Sequence, residues 1–302
     1  MIHESRFISQ EYLDVLQRLF PNPGVLDLVL HYFVPLPLNV LHAHPRDARI
    51  KFYDEIQLAG EAQPRLHQYI IDGDANSYVS CTTFIHQFFG HFDADEVIGN
   101  MMRGRNWQHS AYFGMTPDQI KAQWEENRDQ AARLGTAMHL NLERFYNGLF
   151  AKPEFLLTPE WQYFQNYLAK NPGLEPYRTE WEIFDEKHKV SGSVDMLYKD
   201  PARPGCLIVA DWKRSKEIKW SDRKKGKGPV EHLDDCNAMH YSLQVNLYRW
   251  VLERNYGVTV SRMFLLRLHP NDEDFEQLEI DDMQDEIQQM MAMRLAKLAP
   301  QQ

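Results

Sequence analysis

Cysteine is scarce in this 302-residue chain, in which Cys81, Cys206 and Cys236 lie far apart. Three isolated cysteines exclude a disulfide framework and a CxxC zinc site, and they are typical of reduced thiols in a cytosolic-type compartment. Long apolar runs are lacking too, since none approaches the roughly 18–20 residues that span a bilayer. Residues 1–16 contain an early acidic residue and no apolar signal core. We therefore expect a soluble, intracellular protein of the cytoplasm, nucleoid or nucleus, with no membrane partner.

A phosphate-binding P-loop is absent as well. No GxxxxGK[ST] sequence occurs, and the segment KGKGP at residues 225–229 has the wrong spacing and no strand before it. This predicts no helicase motor and no nucleotide cofactor. The composition is otherwise that of an ordinary globular protein, with 43% hydrophobic and 25% charged residues. A chain of this length can bury a full core, in one large domain or in two.

Positive charge is in the minority overall, because the formal net charge is −10. One segment reverses this balance: residues 213–227 contain eight lysines and arginines against two acidic residues. An isolated charge run is most often a solvated, flexible loop. The distribution of charge matters more for nucleic-acid binding than its sum. Because this run directly follows Asp211 and Lys213, we expect it to bind a nucleic acid.

The N-terminal region gives weaker signals than the rest of the chain. Residues 9–20 and 24–33 have helical apolar spacing. Residues 65–84 predict strand, turn and strand. The turn resembles the start of a calcium loop, but Ser77 and Thr83 stand where that loop needs glycine and glutamate, so we favour a hairpin turn. We therefore divide the chain into a mostly helical N-terminal extension at 1–75, of unknown role, and a main domain at 76–302.

From residue 116 onward the pattern predicts alternating helices and strands. The elements are, in order, a helix over 116–149 with a possible break near Gly135, a helix over 158–173, strands over 177–185, 190–200 and 205–213, a helix over 238–257, a strand over 259–269 and a helix over 281–298. The first two strands are close enough to form a hairpin. This order predicts an α/β (α+β) fold with a mixed central sheet flanked by helices.

Two of the predicted strands carry carboxylates inside apolar runs. Asp195 lies in GSVDMLYK, and Asp211 lies in CLIVADWK, two residues before Lys213. Side chains two apart on a strand share a face, so Asp211 and Lys213 point the same way. Burying such charges costs several kcal/mol unless they are paired or bind a metal. The trio therefore predicts a site for a hard divalent cation such as Mg²⁺, although a plain Asp–Lys ion pair is the simpler interpretation of one pair alone.

Five short motifs, taken in their order along the chain, are a more specific signal than any one of them. GTAMH, EWE, GSVD, VADWK and QVNLY follow one another along the chain, each on the element expected for it. In this order they resemble the PD-(D/E)XK nuclease superfamily, and most closely its RecB-like exonuclease branch. The resemblance extends over residues 77–268, with its sharpest motifs between 135 and 248. It implies a restriction-endonuclease-like fold for the main domain.

The resemblance also implies roles for individual residues. Asp195 and Asp211 would be paired metal ligands, completed by the main-chain carbonyl of Trp212. His139 would be a further ligand, although without the family pattern a satisfied core histidine would be the better interpretation. Lys213 would be the catalytic lysine.

The remaining motifs imply two residues on one face of a helix and an acidic residue on the strand before GSVD. Gln244 and Tyr248 lie four apart on one helix face and match the Q-x-x-x-Y element of the family, which contacts DNA or supports the active site. The resemblance expects an acid on the strand before GSVD, where Glu180 and Glu182 both qualify. Glu143 lies one turn after His139 and would orient its imidazole, or else would be a surface glutamate.

The function implied is hydrolysis of phosphodiester bonds in DNA with Mg²⁺ or Mn²⁺. We expect a metal-dependent exonuclease on free ends or single strands in DNA replication, repair or recombination, with a replication or recombination protein as a candidate partner. Three scattered cysteines cannot form the iron–sulfur cluster of some relatives, so none is expected. The alternatives are a structure-selective endonuclease, a catalytically silent nucleic-acid-binding module, and a scaffold whose N-terminal third does the main work.

The basic loop at 214–234 is the predicted surface for the DNA backbone, with an exposed tryptophan that could stack on a base. Its predicted nucleic-acid-binding residues are Arg214, Lys216, Lys219, Trp220, Arg223, Lys224, Lys225 and Lys227.

Overall fold

The computed structural model describes residues 37–53, 68–149 and 151–299. The predicted helices at 9–20 and 24–33 lie outside these residues. The described helices are α1 (Leu38–Leu41), α2 (Cys81–His86), α3 (Ala94–Arg103), α4 (Pro117–Tyr146), α5 (Pro159–Lys170), α6 (Asn237–Asn255) and α7 (Gln284–Leu298). The described strands are β1 (Ile50–Tyr53), β2 (Gln68–Ile71), β3 (Val79–Ser80), β4 (Glu175–Asp185), β5 (Val190–Lys199), β6 (Cys206–Lys213), β7 (Thr259–Arg267) and β8 (Glu276–Glu279).

A mixed sheet forms the centre of the molecule. Its strand order is β3-β5-β6-β7-β8. β3 and β6 share one edge of β5, and β4 pairs with the opposite edge. β5 is antiparallel to both β4 and β6, β6 and β7 are parallel, and β8 is antiparallel to β7. The predicted restriction-endonuclease-like sheet flanked by helices is therefore confirmed.

Each face of the sheet is covered by its own hydrophobic core. On one face, α2, α6 and α7 pack against the sheet, with Leu243, Leu247 and Ile287 fully buried. On the other face, α5 and the last turns of α4 pack around Trp212. Since both faces are covered, the strands carry nearly continuous apolar runs instead of a strict alternation.

The first residues of β5 pair with β3, and its last residues pair with β6. The recorded ladder between β5 and β6 ends at Met196 and Ala210, so the next residue on each strand is an aspartate. Val194 packs in the core beside α6 and Met196 in the opposite core, so the side-chain alternation of β5 changes phase between them. The strands thus separate where Asp195 and Asp211 stand.

Two details of the sequence prediction are wrong. Gln68–Ile71 pairs with Ile50–Tyr53 and not with a following strand, and Cys81–His86 is a helix. The serine at its N-cap accepts a hydrogen bond from Thr83 N, which makes this short polar stretch a helix start. The aspartate at the N-cap of α3, by contrast, accepts from Glu96 N as its capping pattern predicts.

Helix α4 runs without a break past Gly135. A glycine in a helix interior costs only about 1 kcal/mol. That is too little to interrupt a helix whose last turns are buried through Met138, Leu142 and Tyr146. A capping box at Thr116 and Gln119 fixes its N-terminus. The predicted break is therefore absent, and α4 is a rigid rod along one side of the sheet.

Strand β8 has no counterpart in the sequence prediction. Its residues, Glu276–Glu279, alternate too little in hydropathy to be recognised as a strand, and they pair with β7 at the edge of the sheet. Within the described ranges, no helix has the length and apolarity needed to cross a membrane.

Candidate active site

The end of the β5–β6 ladder positions the first aspartate. Asp195 Oδ2 accepts a hydrogen bond of 2.8 Å from the backbone N–H of Trp212, a donor that the shortened ladder leaves to a side chain. The Asp195 side chain is buried, and Trp212 packs its indole into the core behind the site. The carboxylate is therefore fixed by the main chain of the neighbouring strand.

The second aspartate begins a chain of polar contacts that ends on helix α6. Lys213 Nζ lies 2.5 Å from Asp211 Oδ2 and donates to Gln244 Oε1 at 3.2 Å. Gln244 Nε2 donates to the Tyr248 hydroxyl at 2.7 Å. The lysine also lies 4.5 Å from the ring centroid of Tyr241. The structure thus brings together four of the predicted catalytic residues in one line.

The glycine of GSVD is needed for close packing behind this line. A Cβ atom on Gly192 would lie 2.8 Å from Tyr248 Cε1 and 3.0 Å from Cys81 Sγ. Real Cβ contacts are not that short, so a side chain here would displace the Tyr248 ring. Tyr248 accepts a hydrogen bond from Gln244, and Gln244 accepts one from Lys213. Gly192 therefore supports the position of Lys213 indirectly, through Tyr248 and Gln244.

Three ligand-type atoms converge beside Asp195. His139, Glu180 and Asp195 each place one such atom within 4.8 Å of the others. His139 Nδ1 lies 3.5 Å from Asp195 Oδ2 and 3.6 Å from Glu180 Oε1, while its Nε2 lies 3.1 Å from the Trp212 carbonyl oxygen. Asp211 stands beside this group instead of within it, since its carboxylate faces Lys213.

Backbone conformation selects between the two candidate glutamates. Glu180 has φ of 41°, a left-handed conformation that costs a non-glycine residue about 1 kcal/mol or more. Its carboxylate accepts from Ser193 Oγ at 2.9 Å and approaches His139. Glu182 lines the same cavity but is not in the converging group.

An acidic cleft opens beside this group, with a cavity volume of about 730 Å³. We use this name for the space between α4, β4 and residues 39–52. Its charged lining residues are Asp47, Glu143, Glu180, Glu182, His139 and Arg178. Four carboxylates against two basic side chains give the cleft a negative potential, which attracts cations.

Burial and mutual repulsion shift the pKa values in and beside this cleft. Burial and the nearby Asp211 raise the pKa of Asp195 to about 8. Burial also raises the pKa of Glu143 to about 7, with a contribution from Glu180, and it raises that of Glu182 to about 7. Burial opposes the charged form of His139, but Asp195 and Glu180 outweigh it and raise its pKa to about 9. Such clusters of shifted carboxyl groups are typical of functional sites.

These residues fit a divalent cation. Asp211 Oδ2 pairs with Lys213 Nζ, whereas the buried Oδ1 has no hydrogen-bond partner within the described residues. A buried carboxylate oxygen without a partner is costly, and a bound cation would satisfy it. Carboxylate and carbonyl oxygens are the donors that Mg²⁺ and Mn²⁺ prefer. Asp195, Asp211 and the Trp212 carbonyl supply this donor set, with Glu180 and His139 adjacent.

Comparison with known families identifies the chain. The PD-(D/E)XK nuclease superfamily model matches residues 148–302, just over half of the sequence. The chain belongs to this nuclease superfamily. None of the curated proteins matches it. Members of the superfamily generally depend on divalent metals.

Solved structures give two further likenesses. The protein SSO0001 is 17% identical, with a TM-score of 0.34, over 75% of this chain and 78% of that one. A candidate exonuclease from Eubacterium rectale is 14% identical, with a TM-score of 0.31, over 74% of this chain and 79% of that one.

One wall of the acidic cleft of this nuclease comes from a part of the sequence that no motif marks. Asp47 accepts from Trp181 Nε1 at 3.0 Å and forms an ion pair of 2.8 Å with buried Arg178. Arg178 also donates to the carbonyl of His42 at 3.0 Å. Only a contact between distant segments places Asp47 here, so sequence spacing offers no signal for it. The division at residue 75 stays a prediction.

The basic loop has both paired and exposed cations. Arg214 forms an ion pair of 2.7 Å with buried Glu160, and Lys225 pairs with Asp234. Lys216 and Trp220 are exposed, with 47% of Trp220 accessible to solvent. A role for this loop in binding nucleic acid stays a prediction.

Proposed function

We propose that this protein is a Mg²⁺- or Mn²⁺-dependent exodeoxyribonuclease that acts on DNA ends or single strands during replication, repair or recombination. One observation carries the proposal: His139, Glu180 and Asp195 converge beside the Asp211–Lys213 pair, at the point where β5 and β6 separate. Superfamily membership supports phosphodiester hydrolysis as the reaction.

In this proposal Asp195, Asp211 and the Trp212 carbonyl hold the cation. A divalent cation at such a site polarises a phosphoryl oxygen and lowers the pKa of a water molecule. Glu180 and His139 complete or orient the donor set, and the bond between His139 Nε2 and the Trp212 carbonyl supports that role. The strained backbone of Glu180 is consistent with a residue kept for function.

Lys213 provides a positive charge beside the reacting phosphate. Burial disfavours its ammonium form, but Asp211 and Asp195 outweigh burial and raise its pKa, so the side chain stays protonated at neutral pH. A protonated lysine stabilises the negative charge that develops on the phosphate, or orients the attacking water through its N–H groups. Gln244 and Tyr248 position this ammonium group.

The negative potential of the acidic cleft supports action at an end. Phosphates of a chain that continued through the cleft would face Glu180 and, as the pH rises through about 7, the charged forms of Glu143 and Glu182, which repel them. A strand that stops at the site avoids this repulsion. An end-acting enzyme therefore suits the charge distribution better than one that cuts within a long strand.

The test uses end-labelled linear single-stranded DNA, linear duplex and closed circular DNA with Mg²⁺ or Mn²⁺. Asp211→Ala and Lys213→Ala should each lower the cleavage rate by roughly 100-fold or more, because each removes a group that acts in the transition state. Lys187→Ala removes an exposed lysine from the turn between β4 and β5 and serves as the matched control.

Loss of linear substrates alone, abolished by both variants and by chelator, is the expected result. Cutting of the circle would replace the exonuclease with an endonuclease. Binding of DNA without any cleavage by the wild-type protein would contradict the proposal and favour a silent binding module.

A further inference from the structure

A second cavity opens on the same helix, nearer its N-terminus than the acidic cleft. We name this cavity the basic groove; its volume is about 620 Å³. It lies between α4, the segment Arg214–Lys216 and the loop 269–271. Its lining residues are Trp124, Asn127, Arg128, Gln130, Ala131, Leu134, Arg214, Ser215, Lys216, Tyr241, His269, Pro270 and Asn271. Three of them are cations and none is a carboxylate.

The basic groove is continuous with the catalytic lysine. Tyr241 lines the groove, and Lys213 Nζ lies 4.5 Å from the centroid of its ring. Along α4 the lining changes from Leu134 in the groove to Gly135 in the acidic cleft, so the two cavities are neighbours on one helix. Trp124 lies fifteen residues before His139, which corresponds to roughly 22 Å along the helix axis.

The chemistry of the walls fits an unpaired nucleic-acid strand. Trp124 and Tyr241 are partly exposed aromatic rings, and aromatic rings stack on bases only where those bases are unpaired. Arg128 is 70% exposed and pairs with its exposed neighbour Asp129, and Lys216 is exposed, so both can reach phosphates. Arg214 is held by Glu160 and forms a fixed part of the wall.

We infer that the basic groove binds a single strand of nucleic acid and leads it to Lys213, with Trp124 stacking on a base and Lys216 contacting the backbone. This inference rests on the proposed nuclease function and adds the path of the substrate. The strand approaches over the cationic groove and ends where the carboxylates of the acidic cleft begin.

The test separates binding from catalysis. Binding of labelled oligothymidylate, oligouridylate and a duplex of equal length is measured in EDTA, where no cleavage occurs. Metal-dependent hydrolysis of bis(p-nitrophenyl) phosphate, a diester too small to reach the groove, is measured in parallel. The variants are Trp124→Ala, Lys216→Gln and Trp220→Ala, with Lys187→Gln as the matched charge control.

We expect Trp124→Ala to weaken single-strand binding by roughly tenfold or more, which is the usual loss when a stacking ring is removed. Lys216→Gln should weaken it less and lower the slope of log affinity against log salt by about 1. Small-diester hydrolysis by the folded variants should be unchanged, and the Lys187→Gln protein should bind single strands like the wild type. Tighter binding of a homopolymer than of the duplex supports the inferred role of the groove, and the homopolymer that binds more tightly indicates the preferred nucleic acid.

Three outcomes would contradict the inferred role of the groove. They are a loss of single-strand binding in Trp220→Ala but not in Trp124→Ala, duplex binding as tight as single-strand binding, and a loss of small-diester hydrolysis in the groove variants equal to their loss of binding. Failure of the nuclease function has a different signature. The wild-type protein would then hydrolyse neither DNA nor the small diester, while Trp124→Ala still weakened single-strand binding. That result would refute the proposed function and still support single-strand binding by the groove.

Discussion

The acidic cleft and the basic groove lie on one helix and have opposite chemistry. Residues 135–143 of α4 line the cleft, with Glu180 and Glu182 across it, whereas residues 124–134 line the groove, with Lys216 across it. The cleft contains groups whose pKa values are raised by burial, and the groove has solvated cations and aromatic rings. Helix α4 thus borders both a cleft rich in carboxylates and a groove rich in cations, which in our proposals bind the metal ion and the phosphates respectively.

The net charge of −10 conceals this division. A negative net charge disfavours the approach of a phosphodiester, and in our proposal the cationic groove next to the carboxylates offers a local path. The carboxylates would become compatible with phosphate once a cation neutralises them. The proposal therefore couples the binding of metal to the binding of substrate through charge.

The largest effect is expected from Asp47→Asn, which weakens the wall of the acidic cleft. The variant leaves the buried guanidinium of Arg178 without its ion pair, and such losses cost about 3 kcal/mol of unfolding free energy. The basic groove contains no residue from this part of the chain. Urea unfolding should show the lower unfolding free energy, while the affinity of the folded protein for single strands should be unchanged.

Asp72→Asn is the control for that experiment. Its partner Arg49 is exposed, and exposed pairs contribute less than about 1 kcal/mol. Equal destabilisation by the two variants would mean that the Asp47 contact does not hold the cleft together.

Divalent cation should stabilise the wild-type protein. At about 100 times its dissociation constant, a ligand that binds only the folded state adds about 2.7 kcal/mol to the unfolding free energy. Asp195→Asn should abolish this gain, and at neutral pH the metal-free variant should melt close to the wild-type protein, because burial and Asp211 already raise the pKa of Asp195 to about 8. Thermal melts in Mg²⁺, Mn²⁺ and NaCl of equal ionic strength measure both effects. An unchanged gain in the variant would place the metal elsewhere.

The smallest effect concerns pH. The folded-state pKa of Glu143 is about 7, above its ordinary value of 4.5, so its contribution to stability is fully present below pH 4.5 and is lost as the pH rises through 7. Glu143→Gln should therefore leave stability unchanged near pH 4 and raise it by about 1–2 kcal/mol at pH 8, after allowance for its partial exposure. Unfolding curves at the two pH values measure the difference.

Added divalent cation should shrink that pH dependence in the wild-type protein, because it offsets the repulsion between Glu143 and Glu180. Arg128→Gln, in the basic groove, is the matched control on the same helix and should show no such pH effect. A similar change in both variants would contradict the division between cleft and groove.

Local chemistry in the sequence was enough to predict most elements, the shared strand face of Asp211 and Lys213, and the shared helix face of Gln244 and Tyr248, whose roles the family resemblance implied. The strands β4, β5 and β6 follow from their apolar runs, and the Q-x-x-x-Y spacing places Gln244 and Tyr248 on one helix face. These features depend on residues close together in the chain. The predicted hairpin at 65–84 is wrong because its first strand pairs with a segment earlier in the chain, at Ile50–Tyr53.

The choice between Glu180 and Glu182 shows the limit of periodicity. Residues two apart on a strand share a face, so the pattern alone treats them equally. The left-handed backbone at Glu180 and the change of phase in β5 break that equivalence, and both arise from pairing with a neighbouring strand. Tyr241 and Asp47 were missed for the same kind of reason, since no local motif includes them.

The pattern of residues along the chain was sufficient to predict the fold class, the order of most elements and the residue types that could bind a cation and hold a phosphate. Folding then brings His139, Glu180 and Asp195 together, orients Asp211 toward Lys213, and places an acidic cleft and a basic groove along α4. The physical reason is that propensity and periodicity act over a few residues, whereas the potential at a site is the sum of charges that folding brings from distant parts of the chain.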